Sequence, residues 1–133
     1  MSKVTVDTNV VVRYLLADDA RQAEAARKLM QGAELVAISL PVLCETVWVL
    51  SRGYKLAAED IAQAIATLTR ARNVKTDQAA VDAGLVVLRA GGDFADGVIA
   101  HEGMALGGEV LVTFDKQAAS LLKKQGGLRT RLL

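Results

Sequence analysis

The order of apolar runs in this chain predicts an α/β fold built on a parallel sheet with helices on both faces. Two observations carry that expectation. Three short β-branched runs alternate with segments whose apolar residues recur at the helical period, and glycines punctuate most of the junctions. The runs are residues 3–6 (KVTV), 35–39 (LVAIS) and 110–114 (VLVTF), and each leads into a helical pattern. Strands that feed helices in this way form βα units, whose strands pair in parallel and are buried on both faces.

After the first run, Asp7 or Thr8 caps a helix that reaches about residue 16, and a second helix, from about 20 to 31, ends at Gly32. Pro41 stands in the first turn of the next helix, where its missing N–H costs nothing, and that helix runs to about Arg52 before Gly53. Ile61, Ile65 and Leu68, then Val81, Leu85 and Leu88, define a helical pair, with a short extended piece at residues 73–75. Gly91 and Gly92 close the pair. Asp93 opens a helix to about residue 106, Gly107 and Gly108 lead into VLVTF, and a last helix spans about 116–124. No linker, repeat or low-complexity tract interrupts this order, so residues 1–133 are expected to form a single domain with its own core.

Composition narrows the classes further. The chain is 52% apolar and 23% charged but only 4% aromatic, which fits a folded protein with an aliphatic core. No run approaches the length of a membrane span, and the opening MSKVTVDTNV lacks the apolar stretch and cleavage site of a signal peptide, so the cytoplasm is the expected location. Cys44 is the sole cysteine, which excludes an intrachain disulfide and a multi-cysteine zinc site. The net charge of +1 does not mark a nucleic-acid binder, although residues 116–133 carry Lys116, Lys123, Lys124, Arg129 and Arg131 and no acid. That segment either attracts phosphate or is a solvated helix end and tail.

Four carboxylates stand out. Asp7 and Asp115 each follow a strand and precede a helix, a position that suits an N-cap as well as a ligand. Asp93 and Asp96 stand at N-cap and N3 spacing, and Asp93 is assigned to the cap. Glu45 is the only charged residue from 38 to 51, on a helix apolar on every side. It is therefore expected to be desolvated and to be paired, protonated or bound to a cation. In parallel sheets ligands collect at the carboxyl ends of the strands, where Asp7, Glu45 and Asp115 all fall and which Asp96 reaches if its helix starts at the same rim. Acids gathered there repel one another unless a cation intervenes, and hard Mg²⁺ or Mn²⁺ prefers carboxylate oxygen. Such a centre suits phosphodiester hydrolysis by a metal-activated water. Asp7 and Asp96 are the expected principal ligands, Glu45 a ligand or water-orienting base, and Asp115 a ligand to a second metal or an outer support.

These stretches resemble a known family. VDTNV at residues 6–10, the acidic helix PVLCETVWVL, DFADGVIA at 93–100 and VTFD at 112–115 are similar to the four acidic motifs of the PIN domain, and more narrowly of the VapC-type toxin ribonucleases of bacterial toxin-antitoxin pairs. The resemblance implies an α/β/α sandwich and a Mg²⁺- or Mn²⁺-dependent endoribonuclease with Asp7, Glu45, Asp96 and Asp115 as its acidic quartet. It also implies a small cognate antitoxin whose C-terminal segment blocks the acidic cleft, and homodimerisation through helices of the first half. Thr8, Asn9 and Thr113 match positions that support the acids. Gly97 stands where the family often has alanine, and it is expected to loosen its helix by up to about 1 kcal/mol.

Other residues draw weaker expectations. His101, five positions beyond Asp96, is off its helical face and is assigned a surface or packing role; Cys44 reads as a small hydrophobe. Trp48 and Tyr54 have the chemistry to stack on a base, but Trp48 is expected in the core. Arg13 faces either the cleft or solvent. The competing function is a non-catalytic α/β regulatory or binding module, such as a receiver-like domain. Against it, Asp7 lacks an adjacent acid and LVAIS ends in Ser39 rather than in a phosphoacceptor. A haloacid-dehalogenase-like phosphatase lacks its second Asp two residues after Asp7.

Overall fold

A computed structural model describes residues 2–125 and 129–133. Residues 126–128 of the basic segment 116–133 lie outside the described residues.

The first two apolar runs form strands Lys3–Thr5 (β1) and Leu35–Ala37 (β2), paired in parallel with Lys3 opposite Leu35 and Thr5 opposite Ala37. The extended piece Val74–Lys75 (β3) adds to the far side of β2, again in parallel, to give the order β1-β2-β3. β2 is central, and its Val36 is fully buried. Helices Thr8–Leu15 (α1), Ala20–Gly32 (α2), Leu40–Trp48 (α3) and Ala58–Thr69 (α4) connect these strands, as the sequence pattern predicts. Asp7 caps α1 by accepting from the Val10 N–H at 3.2 Å, and Asp19 caps α2 through Gln22 N–H at 3.1 Å. Leu43, Leu50, Ile61 and Ile65 fill the aliphatic core. Asn73 fastens the turn after α2 to β3, its amide donating to the carbonyls of Met30 and Ala33 at 2.8 and 3.0 Å.

α3 continues through a wide π-helical turn, Val49–Gly53, closed by the Tyr54 N–H donating to the Val49 carbonyl at 3.2 Å. The Tyr54 hydroxyl then donates to Asp18 at 2.8 Å, while Arg13 donates to Asp18 at 3.0 Å and to Gln22 at 2.7 Å. Arg13 thus ties together the turn between α1 and α2, which settles its orientation. The Tyr54 hydrogen bond and, next among the favourable effects, the Arg13 charge hold Asp18 below the usual carboxylate range.

Residues up to Gln78 form one compact unit and those from Ala79 a second. In the second, the main part of Gln78–Arg89 (α5) and all of Phe94–Ala105 (α6) and Lys116–Gln125 (α7) accompany strands Val110–Thr113 (β4) and Arg129–Leu132 (β5). β4 and β5 pair in parallel, Val110 opposite Arg129 and Thr113 opposite Leu132. β5 was not foreseen; the basic segment supplies a strand and not only a helix end and tail. Among the described residues β4 pairs with β5 and forms no ladder with β1–β3. Its burial also departs from expectation. Leu111 packs on a cluster of Val87, Ala100 and Leu122, but Val110, Val112 and Phe114 are exposed. The alternation inherent in a strand leaves one face packed and one open here, instead of a strand covered on both faces.

Gly91 ends α5 with φ +96°, a backbone region that favours glycine. Gly97 has a different role from the one expected. A Cβ on Gly97 would collide with the Ala83 carbonyl oxygen and lie 2.8 Å from the Gly84 Cα, while one on Gly84 would lie 2.7 Å from the Phe94 ring. The missing side chains let α5 and α6 approach backbone to backbone, so Gly97 tightens packing at the cost of local helix propensity. Among the described residues, no helix is long and apolar enough to cross a membrane.

Candidate functional site

Asp7 is exposed at the C-terminal end of β1, and its carboxylate caps α1. Val6 N–H donates to the Ala37 carbonyl at 3.4 Å, so Asp7 leaves the same sheet edge from which β2 runs to Ser39, the N-cap residue of α3. Glu45 lies five residues into α3, roughly 7.5 Å along the helix axis from its first residue. Thr8 is buried, whereas Asn9 is exposed and shares with Asp7, Val10, Arg13, Gln22 and Leu29 the wall of a cavity of about 390 Å³. A larger hollow of about 630 Å³, bordered by Tyr14, Met30, Gln63 and Asn73, has none of the four predicted acids in its lining.

The expected burial of Glu45 is not found: the residue is exposed. Trp48, expected in the core, is 58% exposed. The reason is the same for both. Leu40, Leu43 and Val47, followed by Leu50 in the wide turn, recur at helical spacing and supply the buried face, which leaves Glu45 and Trp48, three residues apart, on an outward stripe of α3. An all-apolar surround in sequence does not say which stripe of a helix meets solvent.

An electrostatic perturbation lies in the second unit, at Asp96. This side chain is partly buried in the first turn of α6, and its pKa is raised, first by burial, then by the charge of Asp93 and then by that of Asp115. Asp93 is the N-cap, accepting from the Ala95 N–H at 3.2 Å, as the spacing predicts. Asp115 caps α7 through the Ala118 N–H at 3.0 Å, and the Thr113 hydroxyl accepts from the Asp115 N–H at 3.0 Å. Thr113 therefore fixes the backbone that presents Asp115. Asp93, assigned only to a cap, also adds to the negative field on Asp96; the three-residue spacing to Asp96 was its signal. His101 is partly buried beside Val87, Met104 and Leu122 in a small hollow, consistent with a packing role.

The donors fit a hard divalent cation by chemistry. They are carboxylates, and a cation beside Asp96 would offset the desolvation of its charge and the repulsion by Asp93 and Asp115, which together raise its pKa. Among the described residues, no three His, Cys, Asp or Glu side chains stand close enough to hold a metal ion as placed. The fit therefore rests on donor type and on the field at Asp96, and not on an assembled cage.

Comparison with known families places this arrangement. The model of the PIN domain matches residues 4–124, through both units and all four acids. The chain belongs to the PIN-domain family, and its mixed α/β architecture with parallel strands is the PIN-like fold expected from the sequence. PIN domains are typically nucleases that depend on divalent metal ions. No curated protein matches the chain.

Proposed function

We propose that this protein is a metal-dependent endoribonuclease and the toxin of a toxin-antitoxin pair. The observation that carries the catalytic part is Asp96, a partly buried acid pushed up by burial and by two further acids, within a chain of the PIN-domain family. Asp7, Asp96, Glu45 and Asp115 would hold Mg²⁺ or Mn²⁺. When bound, such an ion neutralises charge on the attacked phosphodiester and makes water a better nucleophile.

The chain's own residues prepare that chemistry. Asp96 supplies a carboxylate in partly desolvated surroundings, where its charge acts over a lower effective dielectric. Thr113 and the first turn of α7 hold Asp115 in one orientation. Asp7 keeps one oxygen on the Val10 N–H, which leaves the other free to bind. Exposed Glu45 is accessible to accept a proton from an attacking water or to orient it. The four motifs in order support the toxin assignment. With it come a small cognate antitoxin whose C-terminal segment blocks the acids, a homodimer formed through first-half helices, and action in the cytoplasm.

The test is cleavage of RNA by the purified protein. Mg²⁺ or Mn²⁺ should sustain cleavage and EDTA should stop it, and a folded Asp7→Ala variant should neither cleave RNA nor arrest growth. Full cleavage by that folded variant would overturn the proposal.

A further inference from the structure

α1 and α2 pack against each other, and the cavity of about 390 Å³ that holds Asp7 in its wall is a groove between them. On α1, Asn9 and Val10 stand four and three residues before Arg13, so the three share one helical stripe. Gln22, Ala26 and Leu29 form the facing stripe of α2. Asp7 is at the head of the groove, and the Arg13 backbone lies roughly 9 Å further along the helix axis. Among the described residues that line the groove, Arg13 is the only cation. Its guanidinium is braced on one side. The Nε–H donates to Gln22 Oε1 at 2.7 Å, and Nη1 donates to Asp18 at 3.0 Å and to the Tyr54 hydroxyl at 3.3 Å. Among the described residues, the two N–H groups of Nη2 have no protein acceptor.

A guanidinium held in place with donors to spare suits a phosphate, because its planar fork of N–H groups matches phosphate oxygens. The bracing also means that little side-chain freedom is lost on binding. Continuity with Asp7 decides the occupant. The Asp7 oxygen left over by the Val10 N–H belongs to the proposed nuclease site, so RNA held there reaches the groove. A second copy seated in the groove would cover Asp7 and stop the reaction. Asp18 lies in the turn after α1 and draws the guanidinium away from Asp7, which places it beyond the scissile phosphate and within range of a flanking one. We infer that Arg13 is a substrate-binding residue that clasps a phosphate flanking the scissile one and so sets the register of the RNA strand over the acids. This inference rests on the ribonuclease reading above and deepens it.

A cycle between protein and substrate tests this. A short RNA cleaved at one mapped bond is prepared with single flanking phosphates replaced, one at a time, by neutral methylphosphonates, each compared with the same 2′-deoxy position bearing an ordinary phosphate. In the wild type, one such replacement should lower kcat/KM by roughly 10-fold. Arg13→Gln should show a similar loss on the unmodified RNA and no further loss on that replacement. Binding is read separately, by anisotropy of a labelled RNA with Ca²⁺ in place of Mn²⁺. The fall of log affinity with log salt should be shallower by about 0.7 in Arg13→Gln, and Arg13→Lys, which keeps the charge, should regain it. A brace for the turn alone would lower the melting temperature while the two losses simply multiply and the salt slope stays unchanged. That result overturns the inference and leaves the ribonuclease reading intact, as does a wild type indifferent to every flanking replacement, a measurement that needs no variant to fold. Arg13→Gln that weakens self-association in sedimentation with an unchanged salt slope overturns it too, and assigns the groove to a second copy. An Arg13-dependent salt slope without any cleavage supports the phosphate contact and removes the ribonuclease reading instead.

Discussion

Asp96→Asn is expected to lower RNA cleavage by on the order of 100-fold or more while the metal-free protein becomes more stable. The activity loss follows from removing a charged oxygen donor, since even outer supports of a metal site are worth about 10- to 100-fold. The stability gain follows from the sign of the pKa shift. The folded state raises the Asp96 pKa, so between the ordinary Asp range and that raised value the folded chain holds a proton that the unfolded chain has released. Stability therefore falls as pH climbs through that window, and the penalty is fully present above it. Asn carries no charge and removes this pH dependence. Thermal melts of both proteins in EDTA, from acid to neutral pH, measure the effect. Water still reaches Asp96, so screening keeps the gain small. A lower melting temperature for Asp96→Asn at neutral pH would instead mark Asp96 as a structural residue.

Gly97→Ala is the second substitution with a large expected effect, and it sets two terms against each other. Alanine gains up to about 1 kcal/mol of helix propensity. Its Cβ meets the Ala83 carbonyl, and overpacking of this kind typically costs about 1–3 kcal/mol, more so against backbone than against a side chain that can rotate. The net expectation is a loss of roughly 1–2 kcal/mol, read from the denaturation midpoint. Asp96 is the preceding residue, so separation of α5 and α6 should also lower cleavage. A variant more stable than the wild type would show that the two helices part without cost.

Local signals made most of this fold legible. Gly32, Pro41, Gly53 and the Gly91-Gly92 pair marked helix ends within a residue or two, and Asp93 was readable as a cap because its spacing to the helix leaves few alternatives. What escaped depends on contacts distant in sequence. β5 has one β-branched residue, Thr130, between two arginines, so nothing in RTRL announces a strand until it pairs with β4. The outward stripe of α3 was hidden because apolar residues on every side of a helix remove the contrast that a period needs. Gly97 looked like a weakness because propensity is local, whereas the reason for a glycine there is a second helix.

The candidate site shows the same division. Motif order identified the four acids, but the physical argument moved from one to another. Glu45 is exposed, so burial no longer argues for a cation at that residue, and Asp96 now carries that argument. Trp48 changed from an expected core residue into an accessible aromatic three residues from Glu45.

Calorimetric titration of Mn²⁺ into the wild type and Asp96→Asn tests most directly the claim that these acids hold a divalent cation for RNA hydrolysis. Saturable binding by the wild type, weakened at least about tenfold in the variant, is the predicted result. No binding by the folded wild type at millimolar Mn²⁺, or equal binding by both proteins, would contradict it.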